Sequence, residues 1–297
     1  MNRIELPRES GAYRWYYFDV TAGDFTAVFI FMVGSIFSAR YSAGLKKGAL
    51  PTAHSAVNFA LYESGVRRQW VLSEYAGARV ENEGRTLRIG SSFLTYINEN
   101  RVTAQVNDRS AMWGSAIEAK LDFDSAGPGA EPLQLIEGRS HLWHPIAPRG
   151  HARVTLPQYT LDGAAYHDGN GGGVPLGTDC RGWDWVRVHT PLMTEVRYQP
   201  WGEQTGIRLV AHDAGVDVAR QPLERAPLSR TRWGLSVPTA LGGLTAPRLL
   251  ESSPFYARLE CASETTSALG EVADFERFHS PAIRWMARMR TRLGEVA

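Results

Sequence analysis

The stretch RTLRIGSSFLTYINENRVTAQV, residues 85–106, decides the fold class, because it holds three short β-prone runs separated by turn residues. The runs cover residues 85–89, 93–97 and 101–106 and are rich in Ile, Val, Leu, Tyr and Thr. Residues 98–100, Asn-Glu-Asn, form a turn signal between the last two runs. This spacing predicts consecutive antiparallel strands.

The same rhythm continues along most of the chain, and helical periodicity is scarce. Further β-prone runs lie at residues 69–74, 117–123, 153–156, 185–189, 195–198 and 206–211. The most apolar run, residues 25–37, is too short for a membrane helix, which needs about 20 apolar residues. Its Phe, Val and Ile residues favour one or two buried strands. The sequence therefore predicts an all-β protein built from antiparallel barrels or sandwiches.

Length and loop composition suggest two halves. The 297 residues are enough for two domains. Residues 122–132 have the composition of a loop, and a second break is expected at residues 147–150. We therefore predict an N-terminal domain over residues 1–150 and a C-terminal domain over residues 151–297.

Charge and cysteine content exclude some classes of protein. The formal net charge is +1, so the strongly basic field of a nucleic-acid-binding protein is absent and no nucleic-acid partner is expected. Cys180 and Cys261 form neither a disulfide framework nor a CxxC pair, which fits a reducing compartment. Residues 1–14 lack an apolar signal-peptide core. We expect a cytoplasmic protein.

The C-terminal end is the exception to the β pattern. Ser280 is placed to cap a helix with Pro281 at its first position. Its apolar face would carry Ala282, Trp285, Met286, Met289 and Leu293, with Arg284, Arg288 and Arg292 in a row beside it. The helix either docks on a barrel or lies on a membrane surface. For a cytoplasmic protein, that surface would belong to the inner membrane. The second alternative is a peripheral membrane contact through this arginine-rich helix.

Two aromatic segments are candidate pocket walls. The first is GAYRWYYFD, residues 11–19, where Tyr13, Trp15 and Tyr17 would share one strand face and Tyr16 and Phe18 the other. The second is Trp183-Asp184-Trp185, with both indoles on one face. For any single ring, ordinary core packing is the alternative.

Two further segments contain candidate acid and base groups. In HLWHPIAP, residues 141–148, His141 and Trp143 share a face; a buried, hydrogen-bonded core histidine is the alternative. In GAAYHDGNGGG, residues 163–173, Tyr166 and Asp168 share a face and the intervening histidine points away. The glycines predict a tight, irregular turn, and local sequence alone favours Asp168 as a turn carboxylate.

Histidines near these segments raise the question of a metal site. His144, His151 and His167 lie close in sequence, but no HExxH, HxH or Cys/His spacing accompanies them. We predict no metal site.

These segments, taken in order, resemble the carotenoid 1,2-hydratase (hydroxyneurosporene synthase) family over nearly the whole chain. The matching blocks are residues 13–19, 34–38 with Tyr41, His54 with Asn58, residues 141–148, 163–172, Pro175-Leu176, 183–185, 254–258 and 275–286. The chain departs from the family pattern at Arg14, at Tyr16 and in the Gly-Gly-Gly-Val after Asn170. These departures bear on the identity of the substrate more than on the fold or on the acidic residue.

The resemblance implies a fold of two lipocalin-like domains in tandem, ending in a short helix. It also implies catalytic roles for Asp168, His141, Tyr166 and Trp143. Asp168 would protonate a terminal double bond of an acyclic carotenoid or other isoprenoid, because a buried carboxyl group has a raised pKa. His141 would position the water or accept its proton, and Tyr166 would orient the acid.

The product of protonation is a tertiary carbocation, which aromatic faces stabilise. We expect the substrate to contact Trp15, Tyr17, Trp183, Trp185 and Asn170. The scheme requires no cofactor. Two alternatives stay open. The first is a polyene cyclase or Diels–Alderase-type enzyme in the same fold, because the chain more distantly resembles tocopherol cyclase and the fungal Diels–Alderases. The second is a non-enzymatic, lipocalin-like binder of an apolar ligand.

Overall fold

A computed structural model describes residues 3–110, 114–228, 231–235, 237–239, 247–263 and 265–294. Strands dominate these residues, which confirms the all-β prediction. The strands before residue 175 are β1 (Tyr13–Ala22), β2 (Phe25–Val33), β3 (Ser55–Glu63), β4 (Val66–Tyr75), β5 (Arg79–Glu81), β6 (Thr86–Ile89), β7 (Ser92–Tyr96), β8 (Arg101–Arg109), β9 (Ala116–Ser125), β10 (Leu133–Gln134), β11 (Leu142–Thr155) and β12 (Thr160–Gly172).

The strands after residue 175 are β13 (Gly182–His189), β14 (Thr194–Pro200), β15 (Gly206–His212), β16 (Gly215–Gln221), β17 (Ala226–Leu228), β18 (Val237–Thr239), β19 (Arg248–Ser252), β20 (Tyr256–Ala262), β21 (Ser267–Asp274) and β22 (Arg292–Leu293). The α-helices are α1 (Ala39–Gly44), α2 (Phe275–Phe278) and α3 (Pro281–Arg290). Short 3-10 turns at Leu45–Lys47, Pro51–His54 and Asn82–Gly84 complete the chain's regular elements among the described residues.

The first sheet is long and curled. Its order is β22-β4-β3-β2-β1-β12-β11-β9-β8-β7-β6-β5, with β10 beside β11. The predicted runs of residues 85–106 form β6, β7 and the first part of β8, joined as antiparallel neighbours. The curled sheet encloses a core of apolar side chains that includes Phe18, Phe29, Phe59 and Phe123.

The second sheet packs against the outer face of β1. Its order is β16-β15-β14-β13-β21-β20-β19, and β17 pairs separately with β18. The alternating side chains of β1 contribute to both layers. Tyr16 and Phe18 lie in the core of the curled sheet. Trp15 and Tyr17 point to the other face, where they contact Trp183 and Trp185 of β13 respectively. This division follows the prediction for residues 11–19, and it places one aromatic face of β1 between the two sheets.

The change from the first sheet to the second does not fall near residue 150. That residue lies inside β11, and the predicted break at residues 147–150 is a pair of register shifts in this strand. The loop predicted at residues 122–132 begins only after Ser125, where β9 ends. The first sheet continues through β12, so the chain changes sheet between Gly172 and Gly182. Whether the two sheets are separate domains stays a prediction.

The glycine-rich segment is also not a turn. Residues 163–172 are extended and belong to β12, which pairs with β1 on one side and β11 on the other. Glycine is needed there by close approach: a Cβ on Gly163 would lie 2.1 Å from the carbonyl oxygen of Thr21, and one on Gly172 would lie 2.7 Å from the Tyr13 hydroxyl oxygen. Asp168 is therefore a strand residue and not a turn carboxylate.

The predicted C-terminal helix is confirmed as α3, with Pro281 at its start and the Ser280 hydroxyl accepting the backbone N–H of Ile283. Its docked face differs from the prediction, because Trp285 is 63% exposed while Ile283 and Met286 face a cavity. Leu293 lies beyond the helix in β22, and the side chain of Met289 is outside the described residues. Among the helices of the described residues, none is long and apolar enough to cross a membrane.

Candidate active site

Asp168 lies at the centre of the candidate site, on β12 between β1 and β11. Its side chain is buried and its Oδ2 accepts two hydrogen bonds, from the Tyr166 hydroxyl at 2.8 Å and from the Trp143 indole Nε1 at 2.9 Å. Tyr166 reaches Oδ2 because residues two apart on a strand share a face. The structure thus brings together three of the four predicted catalytic residues.

The environment of Asp168 suits an acid that works near neutrality. Burial raises the pKa of Asp168 to about 7, and the negative charges of Glu271 and Asp19 act in the same direction. The hydrogen bonds from Tyr166 and Trp143 oppose this shift because they stabilise the carboxylate. The group can therefore hold a proton near pH 7 and release it in a single step.

His141 is connected to Asp168 through Asn170. The Asn170 amide donates to Oδ1 of Asp168 at 3.1 Å, and its Oδ1 lies 3.2 Å from Nε2 of His141. On the other side of the ring, Nδ1 of His141 lies 2.7 Å from the Tyr13 hydroxyl. Burial lowers the pKa of His141 to about 4, so the ring is neutral. The network assigns the proton to Nε2, with Tyr13 as the donor to Nδ1.

This arrangement bears on the expected roles of two residues. A neutral histidine that donates to Asn170 holds the amide in place, which differs from the direct contact with water expected of His141. Asn170, expected to contact substrate, also donates a hydrogen bond to the Asp168 carboxyl group. His167 faces away as predicted: its ring stacks on Phe18 at 3.8 Å and its Nε2 lies 2.9 Å from the Tyr96 hydroxyl.

Two adjoining cavities meet at this site. The smaller, of about 30 Å³, is lined by Asp168 together with Trp15, Tyr17, Asn170, Trp183, Trp185, Tyr198 and Glu271. All five residues expected to contact substrate are among them. The larger cavity, of about 490 Å³, shares Trp15, Tyr17, Trp183 and Glu271 with the smaller one and extends to α3. Its lining is mainly apolar, as in pockets for apolar ligands.

The aromatic rings around the small cavity pack edge to face or tilted against one another. The ring centroids of Tyr17 and Trp185 lie 5.6 Å apart, and those of Trp15 and Trp183 lie 6.2 Å apart. The ring centroids of Tyr166 and Trp185 lie 5.4 Å apart. Aromatic rings of this kind stabilise a cation that lies over their faces.

Sequence reasoning missed two charged residues of the site. Glu271 on β21 lines both cavities, and Arg258 on β20 binds its Oε1 through Nε at 3.0 Å and Nη2 at 2.9 Å. Arg258 is almost fully buried. Arg258 ends the matching block of residues 254–258, where no role was assigned to it, and no short motif marks Glu271. The available signal for Glu271 was a charged residue within a β-prone segment.

The described residues contain no group of three or more His, Cys, Asp or Glu side chains arranged to hold a metal ion. Of the three histidines considered for a metal, His151 instead pairs with Asp162 at 2.8 Å on the surface. His167 lies in the core of the curled sheet.

Solved structures with the same architecture are distant in sequence. A Nitrosomonas europaea protein assigned as AttH (NE1406) matches with a TM-score of 0.58 and 10% identity, over 92% of this chain and 97% of that one. Kievitone hydratase from Nectria haematococca matches with a TM-score of 0.52 and 12% identity, over 91% and 90%. At these identities the likeness shows the fold, which is the lipocalin-like arrangement that the sequence resemblance implied.

Closer relatives come from sequence. The chain is 30% identical over 305 aligned residues to an acyclic carotenoid 1,2-hydratase of Thiocapsa roseopersicina, covering 97% of this chain and 75% of the relative. It is 28% identical over 270 residues to an acyclic carotenoid 1,2-hydratase of Cereibacter sphaeroides, covering 87% and 95%. Residues 29–294 match the family described as carotenoid hydratase CrtC. The resemblance seen in the sequence is confirmed, and the chain belongs to the carotenoid hydratase CrtC family.

Proposed function

We propose that this protein is a hydro-lyase that adds water across the terminal C-1,2 double bond of an acyclic carotenoid or related isoprenoid. The observation that carries the proposal is the buried carboxyl of Asp168, whose pKa is raised to about 7 in a small cavity that adjoins the larger, mainly apolar one. Both relatives named above are acyclic carotenoid 1,2-hydratases, which supports the same substrate class here.

In the first step, the terminal double bond takes the proton from the Asp168 carboxyl group. A C–H bond forms, Asp168 becomes a carboxylate, and a positive charge develops on the tertiary carbon. Indole and phenol faces stabilise such a cation by about 2 kcal/mol or more when water is excluded. Trp15, Tyr17 and Trp183 line the larger cavity where it meets the smaller one, and the cation would form there.

In the second step, water adds to the tertiary carbon and loses a proton, which gives a tertiary alcohol. Trp143 and Tyr166 fix one oxygen of Asp168, while Asn170, itself held by His141, fixes the other. The acid is therefore preorganised on both sides. This scheme uses only groups of the chain and requires no cofactor.

Product analysis tests the proposal. Purified protein incubated with detergent-dispersed lycopene should give the 1-hydroxy product, identified by mass and by its absorption spectrum. Recovery of unchanged lycopene bound to the protein would instead support a non-enzymatic binder. A ring-closed isomer of the substrate would support a cyclase.

We also propose that α3 contacts a membrane surface, where an apolar substrate would be held. Ile283, Met286 and Ala287 of this helix line the larger cavity, so the helix lies beside the route to the site. Trp285 of the helix is 63% exposed, and Trp233, which lines the same cavity, is 50% exposed. Exposed indoles are favoured at the level of lipid headgroups.

Basic side chains accompany these indoles. Arg288 is exposed on α3, and Arg40 is partly exposed on α1, which packs against α3. Each such charge near an anionic membrane contributes about 1 kcal/mol. The protein should float with vesicles containing anionic lipid, and Trp285→Ala with Arg288→Glu should abolish flotation while activity on detergent-dispersed lycopene is kept. Equal flotation of the double variant would contradict the proposed contact.

A further inference from the structure

We infer that Glu271 is the base that takes the proton from the attacking water, and that the 30 Å³ cavity between Glu271 and Asp168 is the site of that water. This inference rests on the proposed hydration and assigns the second half of the reaction. It makes the site a pair of carboxyl groups with opposite tasks.

The cavity has the size and polarity of a water site. About 30 Å³ is enough for one or two water molecules. Tyr17 and Trp185 both line the cavity, and the buried Tyr17 hydroxyl and Trp185 indole Nε1 have no hydrogen-bond partner by distance and angle among the described residues. Buried polar groups are nearly always hydrogen-bonded, so two such groups on side chains that line one small cavity support a water-binding position.

The strand register places these groups in two pairs. Tyr17 on β1 stands opposite Asp168 on β12, and Trp185 on β13 stands opposite Glu271 on β21. Directly opposed residues extend their side chains on the same face of a sheet, about 5 Å apart at their Cβ atoms. The side chains of Tyr17 and Trp185 therefore neighbour those of Asp168 and Glu271, and all four residues line the cavity, which lies between the two sheets.

The two carboxyl groups have different environments. Asp168 receives its hydrogen bonds from neutral donors, and burial raises its pKa to about 7. Glu271 instead forms an ion pair with Arg258, whose guanidinium binds Oε1 through two N–H groups. The negative charge of Glu271 is one cause of the raised pKa of Asp168. Environments that differ in this way separate an acid from a base.

The proton balance of the cycle then closes. Asp168 gives its proton to the substrate carbon, and the water oxygen forms the C–O bond with the tertiary cation. The resulting oxonium loses one proton to the Glu271 carboxylate, which leaves the alcohol. Glu271 releases that proton to solvent through the larger cavity, which it also lines, and Asp168 takes one up, so each turnover consumes one alkene and one water.

The test separates protonation from water capture by running the reaction in D2O. A cation that forms but is not captured loses a proton again, so deuterium appears in the recovered lycopene. Glu271→Gln should lower hydration by about 100-fold or more, as loss of a general base does. Measured well below the pKa of about 7, where loss of the Glu271 charge leaves Asp168 protonated, deuterium exchange into the substrate should stay within about threefold of the wild-type rate.

A matched control is Glu260→Gln. Glu260 is a buried carboxylate on β20 that pairs with Arg248 at 2.6 Å and lies outside both cavities. The Glu260→Gln variant therefore shows the effect of losing a buried ion pair of the second sheet. Because Glu260 lies outside the site, this variant should keep the wild-type rate of hydration. If Glu271→Gln does not fold, Tyr17→Phe and Trp185→Phe remove the water-holding atoms and leave the ion pair intact. They should also depress hydration more than exchange.

The inference is overturned if folded Glu271→Gln hydrates lycopene at a rate close to wild type. It is equally overturned if that variant loses exchange and hydration to the same extent, because Glu271 then has no separate role in water capture. Failure of the proposed function looks different: the wild-type protein itself would show neither exchange nor hydration.

Discussion

The indole Nε1 of Trp143 donates a 2.9 Å hydrogen bond to Oδ2 of Asp168. The same oxygen accepts the Tyr166 hydroxyl at 2.8 Å. These two bonds stabilise the carboxylate and work against burial, which stabilises the neutral acid. The balance leaves the pKa of Asp168 at about 7, where a carboxyl group can both hold and release a proton.

The first prediction concerns the pH dependence of the reaction. The acid form of Asp168 is the active one, so kcat/KM should be constant between about pH 5 and pH 6. Above the pKa of about 7 it should fall tenfold per pH unit, because the acid form is titrated away. Initial rates with lycopene across pH 5 to 9 check this. A profile that stays flat to pH 9 would show that another group donates the proton.

The second prediction concerns the two donors to Asp168. Tyr166→Phe and Trp143→Phe each remove a bond to the carboxylate, so the alkaline limb of the pH profile should move up by about 1 unit. Tyr96→Phe is the matched control, since its hydroxyl bonds His167 in the core of the curled sheet. If the alkaline limb of the pH profile stays in place in both variants, these two residues do not set the pKa of Asp168.

The third prediction concerns stability. Because the folded pKa of Asp168 lies above its ordinary value, the folded state binds more protons than the unfolded state between about pH 4 and pH 7. The contribution of this protonation to the free energy of unfolding is fully present below about pH 4 and is lost as the pH rises through about 7. Between pH 5.5 and pH 8 the loss is about 2 kcal/mol.

Asp168→Asn lacks this titration and should not lose that free energy of unfolding over the same interval. Urea denaturation of wild type and variant at pH 5.5 and pH 8 checks the difference. Parallel losses in both proteins would mean that Asp168 does not titrate near neutrality.

The fourth prediction concerns the larger cavity. Ala287 lines it from α3, so Ala287→Trp should fill the route of a long substrate and raise KM for lycopene by about tenfold or more. Ala282→Trp is the matched control, because Ala282 is exposed on the same helix. Equal KM values for the two variants would place the substrate elsewhere.

Much of the strand structure was predictable because it depends on local patterns. Alternation along β1 separated Tyr16 and Phe18 from Trp15 and Tyr17, and the structure follows that division. The pairing of a hydroxyl and a carboxyl on one face, Tyr166 with Asp168, follows from the same period of two.

Other features were not predictable because they depend on contacts between distant strands. The glycines of β12 have the composition of a turn, but they are needed where β1 crowds an extended strand, as at Gly163 beside Thr21. The break in the chain expected at residues 147–150 lies inside β11, where the pairing with β12 shifts register twice. Glu271 enters the site from the second sheet, about 100 residues from Asp168, which no local spacing reveals.

The most direct test of the central claim combines labelled water with the acid variant. In H2¹⁸O, the wild-type protein should convert lycopene to a 1-hydroxy product carrying ¹⁸O, and folded Asp168→Asn should form none above background. Those results would establish water addition that depends on Asp168. Full activity of Asp168→Asn, or a wild-type product that contains no label, would contradict the account.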